Sequence, residues 1–247
     1  RLSTPRRLFL RRSLAGGAVG LAALSRAGGV HAAAGGRLRL AGIGVGGMGS
    51  ADLAALASHP AVDVVALCDV DARNLDAAAA KHPQARRFAD FRALFREAGD
   101  AIDAVHVSTP DHTHAPAAMT ALSHGKHVYC QKPLTHDLFE ARRLREAVAG
   151  TPTVTQMGTQ IHSTTPYRTA VRAIRGGVIG KVREVHSWSG KTWGYDGPAP
   201  APAPVPPQLD WNLWLGTAAE RPYAEGHYHP GNWRRWYDFG CGTMGDM

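Results

Sequence analysis

Cysteine is scarce in this chain of 247 residues: Cys68, Cys130 and Cys241 are the only three, and no two form a C-x-x-C pair. That excludes a disulfide framework and argues against a structural zinc site. Charged residues are also sparse, at 19%, while 44% of the chain is hydrophobic, a balance that excludes a disordered polymer. No apolar run approaches the roughly 20 residues needed to span a bilayer, so stable membrane insertion is not expected. Acids are missing altogether from the first 35 residues, which carry Arg1, Arg6, Arg7, Arg11, Arg12 and Arg26. The formal charge of +8 is therefore uneven, and the remainder holds 22 basic against 20 acidic residues. A body so close to neutral has no electrostatic signature for nucleic acid.

The basic start has a pattern of its own. Pro5-Arg6-Arg7-Leu8-Phe9-Leu10-Arg11 matches a twin-arginine export signal, and Ser13 to Leu24 follows as a short Gly/Ala-rich apolar stretch. Val30-His31-Ala32 and Ala32-Ala33-Ala34 offer small residues for cleavage. A basic amphipathic or disordered tail is the alternative. The expectation is a signal over residues 1–34 that addresses the twin-arginine export machinery, with the sequence starting inside that signal. The mature body would then be periplasmic or otherwise extracytoplasmic. Because this route carries folded proteins, often with cofactor inserted, the body should hold a cofactor.

Residues 37–155 answer that expectation. Arg37 to Ile43 reads as a buried strand and runs directly into Gly44-Val45-Gly46-Gly47-Met48-Gly49. In G-x-G-x-x-G the glycines permit a tight turn, close approach of backbone to a pyrophosphate, and close helix–strand packing. A helix over 50–59 would aim its free N–H groups at the phosphates. Val62 to Asp69 is a second strand, and Asp69 stands where a carboxylate accepts the ribose hydroxyls of NAD, which disfavours NADP. Asp69 could instead cap the next helix, a role that Asp71 fills equally well. Helices over 74–81, 91–98, 115–124 and 138–148 alternate with strands over 102–107, 127–130 and 153–155, which predicts a doubly wound parallel sheet of Rossmann type. Ligands then sit at the carboxyl ends of its strands, where Ser108-Thr109-Pro110 and Gln131-Lys132-Pro133 fall.

The alternation stops near residue 156, so residues 156–247 are expected to begin a second, α+β domain. A helix over 166–175 and a strand over 182–188 are predicted there. Gly197 to Pro207 is so rich in proline that it should be an extended surface loop. From Asp210 the texture turns aromatic: Trp211, Trp214, Tyr223, Tyr228, Trp233, Trp236 and Tyr237 are interleaved with Arg221, Arg234 and Arg235. Such a mixture suits single strands of nucleic acid or sugar rings, and the near-neutral body favours sugar; core packing is the alternative for about half of these residues. His112-x-His114 lacks a third ligand at metal-binding spacing, so no metal is expected.

Together, Gly44 to Gly49, Cys68-Asp69-Val70-Asp71, Ser108 to His114 and Gly125-Lys126-His127-Val128-Tyr129-Cys130-Gln131-Lys132-Pro133 resemble the glucose–fructose oxidoreductase / inositol dehydrogenase (Gfo/Idh/MocA) family. The last stretch is similar to the family's G-K-H-V-x-x-E-K-P strand, whose Lys is catalytic; Gln131 stands in place of the Glu. Phe239 to Met247 is similar to a second family motif, G-G-G-x-x-x-D-x-G-x-H, with Asp246 as its Asp. The matching His would fall four residues later, past Met247, so a C-terminally truncated chain is expected, its second-domain sheet open, mainly antiparallel and incomplete. The resemblance implies an NAD(P)-dependent oxidoreductase acting on a carbohydrate or polyol hydroxyl, with Lys132 and Asp246 catalytic. It implies a cofactor site of Gly44, Gly46, Gly47, Met48, Gly49, Asp69, Thr109, Pro110, His114 and Lys132, and substrate contacts from Lys132, Gln160, Arg234 and Trp236. It also implies a homo-oligomer. A glycosidase that uses bound NAD transiently and a sugar-binding protein without turnover stay open as alternatives.

Overall fold

The structure, a computed structural model, describes residues 36–247; the twin-arginine pattern, the apolar stretch and the cleavage positions lie outside them. Six strands, β1 (Leu38–Ile43), β2 (Val62–Cys68), β3 (Arg86–Phe88), β4 (Ala104–Val107), β5 (His127–Gln131) and β6 (Thr155–Gly158), form one sheet in the order β3-β2-β1-β4-β5-β6. Every pairing is parallel. Helices α1 (Gly47–Ala57), α2 (Ala72–Lys81), α3 (Phe91–Ala98), α4 (Asp111–Ser123) and α5 (Leu138–Val148) make the crossovers.

The strand period of two explains the layers. Ala41, Ile43, Ala66 and Cys68 face a core shared with Leu94 and Phe95 of α3, Ala117 and Ala121 of α4, and Leu144 of α5. Their neighbours Leu40 and Leu67 face the opposite side, against Leu53 of α1 and Leu75 of α2. Burying one such leucine contributes about 1.5–3 kcal/mol. Polar side chains start the helices: Asp71 accepts from Arg73 N at α2, Asp90 from Arg92 N at α3, and Asp137 with Glu140 forms a reciprocal capping box at α5.

Several elements depart from the sequence-based expectation. α1 begins at Gly47 and α4 at Asp111, several residues early, because the glycine loop and the Asp111-His112-Thr113-His114 run themselves supply first helical turns. β3 is additional to the expected strands; it is a three-residue, arginine-rich edge strand, too short to show a period. The strand expected over 182–188 is not formed: Val185 is 79% and Trp188 86% exposed. A strand needs a neighbour for its N–H and C=O groups, and among the described residues none lies beside it. The second-domain antiparallel sheet is likewise not formed among the described residues, and the boundary expected near 156 falls inside β6.

Beyond β6 the chain forms helix α6 (Thr165–Arg175), the proline-rich loop, short helices α7 (Trp211–Leu215) and α8 (Gly242–Asp246), and a 3-10 turn over Asn232–Arg235. Trp214, Tyr223, Tyr228, Trp233 and Phe239 bury one another in a third core, with Trp211 and Trp236 packed on its edge. Most of the aromatics are therefore core, which corrects their reading as sugar platforms; Tyr237, at 89% exposure, is the exception. The loop end fastens to the sheet crest: Asp210 N donates to Val70 O (2.9 Å) and Ala72 N to Gln208 O (2.8 Å), and Leu209 is buried. No helix of the described residues is long and apolar enough to cross a membrane.

Candidate active site

The glycine loop follows β1 and is set by backbone geometry. Gly44 has φ +75°, and a side chain there would meet Ser108 O at 2.7 Å; a Cβ on Gly49 would fall 1.9 Å from Gly44 O. Asp69, at the end of β2, ties this loop down: its Oδ2 accepts from Val45 N (2.9 Å) and Gly46 N (3.2 Å), and its Oδ1 from Asp71 N (2.9 Å) and Asn74 Nδ2 (3.4 Å). Burial pushes this carboxyl upward, against the pull of the Asp71 and Val45 amides. Capping of α2 belongs to Asp71, which separates the two carboxylates' roles.

The first-turn amides of Gly47, Met48 and Gly49 have no helical acceptor of their own. Around Gly47 a Cβ would meet nothing within 4 Å. A nucleotide diphosphate fits this open helix N-terminus, with the positive end of the helix dipole behind it, and Asp69 lies beside it as the acidic group. Met48 is half exposed at the same edge, and Gln160 Nε2 lies 3.7 Å from its sulfur. Gln160 is thus placed by the glycine loop, away from Lys132's ammonium contacts.

On the other side of β1, Thr109 and Pro110 end β4 and lead into α4. His114 is buried behind them, its Nε2 2.8 Å from Thr109 O and its Nδ1 2.6 Å from Pro133 O. Burial holds the imidazole below the usual histidine range. It lies between the two strand-end loops with a carbonyl oxygen beside each ring nitrogen, and so shapes the crevice from behind. His112 donates from Nε2 to Trp214 O (3.1 Å) and is buried, which pushes it down to about 4. Its role is to seat α7.

Lys132 follows β5, and the peptide bond to Pro133 is cis. Its ammonium donates to Asp246 Oδ1 (2.9 Å) and Asp246 O (2.8 Å). The second carboxylate oxygen, Asp246 Oδ2, accepts from the indole of Trp193 (3.0 Å), while Arg234 Nε lies 3.7 Å from Oδ1 and its guanidinium stacks 4.2 Å over Trp233. Burial raises the Asp246 carboxyl, but Lys132 and Trp193 outweigh it and hold it below the usual carboxylate range. The terminal segment is moored by Asp111 Oδ2, which accepts from Cys241 N (3.0 Å), and by Phe239 O, which accepts from His112 N (3.3 Å).

Of the residues expected at the site, Lys132, Asp246 and Arg234 are brought together. Trp236 is not: its indole donates to His227 O (2.8 Å) and its ring packs on Tyr195 and Tyr228. A tryptophan near an arginine in sequence can still point into a core. Trp193 joins the site without a sequence signal, since nothing in Lys191-Thr192-Trp193-Gly194-Tyr195 marks it; only the chain's path brings it to Asp246.

A parallel sheet with a glycine-loop nucleotide site beside a strand-end lysine–aspartate pair defines a dinucleotide-dependent oxidoreductase architecture. Residues 38–159 match the NAD-binding Rossmann-fold model of the GFO_IDH_MocA oxidoreductase family, and residues 171–247 match that family's C-terminal alpha/beta domain. The chain belongs to the Gfo/Idh/MocA family. A glycosyl hydrolase family 109 protein of Saccharopolyspora erythraea is 36% identical over 100 residues, which is 37% of this chain and 21% of that protein. An inositol 2-dehydrogenase of Rubrobacter xylanophilus is 35% identical over 112 residues, 45% of this chain and 31% of the enzyme. The crystal structure of myo-inositol 2-dehydrogenase from Lactobacillus plantarum superposes with a TM-score of 0.55 at 26% identity, covering 59% of this chain and 43% of that one. The matched stretches thus span less than half of each of these proteins.

Proposed function

We propose that this chain is the cofactor-binding and first substrate-binding part of an exported, NAD-dependent oxidoreductase acting on a secondary hydroxyl of a polyol or carbohydrate. The observation that carries the reading is Lys132 Nζ at 2.9 Å from Asp246 Oδ1, at the carboxyl end of a strand in a nucleotide-binding sheet. When bound, the nicotinamide takes up or returns a hydride. The diphosphate would be held by the amides of Gly47, Met48 and Gly49, and the ribose hydroxyls by Asp69, whose charge repels the extra phosphate of NADP. Thr109 and Pro110 line the crevice between.

Lys132 and Asp246 act on the substrate. The ammonium donates to the reacting oxygen and stabilises its developing negative charge as the hydroxyl proton passes to solvent. Asp246, kept ionised by its neighbours, fixes the ammonium's direction and offers a second polar contact to the alcohol. Arg234, within reach of Asp246, adds positive charge at the same place.

Incubation of the chain with NAD and a panel of inositols, aldoses and glycosides tests this reading. Net NADH formation supports the dehydrogenase, and Lys132→Ala should then lower kcat/KM at least about a hundredfold. Release of sugar without net NADH would instead place it with the glycosidase relative, and binding without either would leave a sugar-binding protein. Export by the twin-arginine route, delivery outside the cytoplasm and self-association are part of the proposal. Replacing Arg6 and Arg7 by lysine should retain a reporter fused to residues 1–34 in the cytoplasm.

A further inference from the structure

Asp52 sits on α1 and carries no sequence signal, yet polar groups converge on it. Its Oδ2 accepts from Ser108 Oγ (2.9 Å) and from Gln131 Nε2 (2.8 Å). The ring of His106, buried in β4, places Nε2 2.6 Å from Ser108 Oγ and 3.6 Å from Asp52 Oδ2. At the other end of the Gln131 amide, Oε1 accepts the backbone N–H of Lys132 at 2.9 Å. A chain of hydrogen bonds therefore runs from α1, across the ends of β4 and β5, into the peptide of Lys132. Burial raises the Asp52 carboxyl, but His106, Gln131 and Ser108 together hold it below the usual range.

The same geometry gives a physical account of Gln131, where the family pattern has Glu. A carboxylate at 131 would face the Asp52 carboxylate at hydrogen-bond distance, and two such groups repel. An amide can donate to Asp52 and accept from Lys132 at once; an ionised carboxylate can only accept.

We propose that Asp52 is a positioning residue for Lys132: through Gln131 it fixes the Lys132 backbone and so aims the ammonium at Asp246. The inference rests on the reading of Lys132 as the group that meets the substrate hydroxyl.

The test is a charge transposition in the full chain. Asp52→Ala and Gln131→Glu each break the match, the first by removing the acceptor of Ser108 and Gln131 and the second by setting two carboxylates face to face. The double variant D52N/Q131E restores it, because the amide introduced at position 52 can donate to the new carboxylate, which still accepts from Lys132 N. Two readouts are taken after thermal melts establish folding. The rate of acylation of Lys132 by an amine reagent is followed by peptide mass spectrometry, with exposed Lys181 as internal standard. Polyol oxidation is followed alongside the Kd for NADH.

Each single variant should acylate Lys132 about five- to tenfold faster and lower kcat about tenfold or more, with the NADH Kd changed less than about twofold. The double should return both rates to within about threefold of the parent. Wild-type acylation in folded single variants, or a double variant worse than either single, would overturn the proposal. If D52A does not fold, Gln131→Met, which lacks both donor and acceptor at similar size, carries the same expectation. If the parent oxidises no polyol, the acylation cycle still decides the positioning role, and it is the chemical role of Lys132 that fails separately.

Discussion

Asp71 joins the two parts of the molecule, and its charge should be measurable as stability. Its carboxylate caps α2 through Arg73 N, pairs with the Arg73 guanidinium (2.9 Å), and accepts from His229 Nε2 (2.9 Å), a residue 158 positions further along the chain. Burial alone would raise this carboxyl; Arg73 and His229 reverse that and bring it from an ordinary 3.8 to about 2. At about 1.36 kcal/mol per tenfold change in acidity, the difference amounts to about 2 kcal/mol of folding free energy. Because the folded state favours the ionised form, the contribution is complete above the ordinary value and is lost as pH falls toward 2. Asp71→Asn keeps the helix cap, since an amide oxygen also accepts from Arg73 N, and removes the charge together with the second oxygen that meets Arg73 and His229. Urea unfolding followed by tryptophan fluorescence and far-UV circular dichroism should show the variant about 2 kcal/mol less stable at pH 7, with about half of that gap left at pH 3. A gap of the same size at both pH values, or none at pH 7, would refute the assignment.

Other consequences are open to direct measurement. Gly49→Ala forces a Cβ toward Gly44 O, 1.9 Å away before relaxation, and should weaken NADH binding at least about tenfold by fluorescence titration and lower the melting temperature too, because the atom it meets is backbone. Trp193→Phe keeps an aromatic ring, smaller than the indole, and deletes the donor to Asp246 Oδ2; kcat/KM for polyol oxidation should fall about tenfold, since a hydrogen bond to a charged group contributes about 1.5–3 kcal/mol. Burial pushes the thiols of Cys130 and Cys241 up to about 12, so the native chain should resist iodoacetamide at pH 8 and react fully only in denaturant.

The four central strands β1, β2, β4 and β5 are legible in the sequence because they are short, mainly apolar runs bounded by turn residues, and because a parallel order leaves few alternatives for where ligands sit. Lys132 and Asp246 are legible for a different reason: each lies in a stretch similar to a family pattern. Their mutual contact is not, since 114 residues separate them and only the aromatic core around Phe239 carries α8 to the end of β5. Asp52 and Trp193 leave no trace, as a single polar residue on a helix or a tryptophan in a loop has many possible surroundings. The strand expected over 182–188 shows the converse, a correct alternation of side chains that lacks a neighbour among the described residues.

At Asp69, binding and folding compete for the same atoms. An ionised carboxylate offers about four lone-pair directions, and here Val45, Gly46, Asp71 and Asn74 already supply four donors. Ribose hydroxyls arriving at this group are competitors, not first occupants. The longest of the four bonds, from Asn74 at 3.4 Å, is the one that yields most readily. Nucleotide affinity at this site is therefore a difference between two sets of contacts, and part of it is decided by how easily a side chain of α2 lets go.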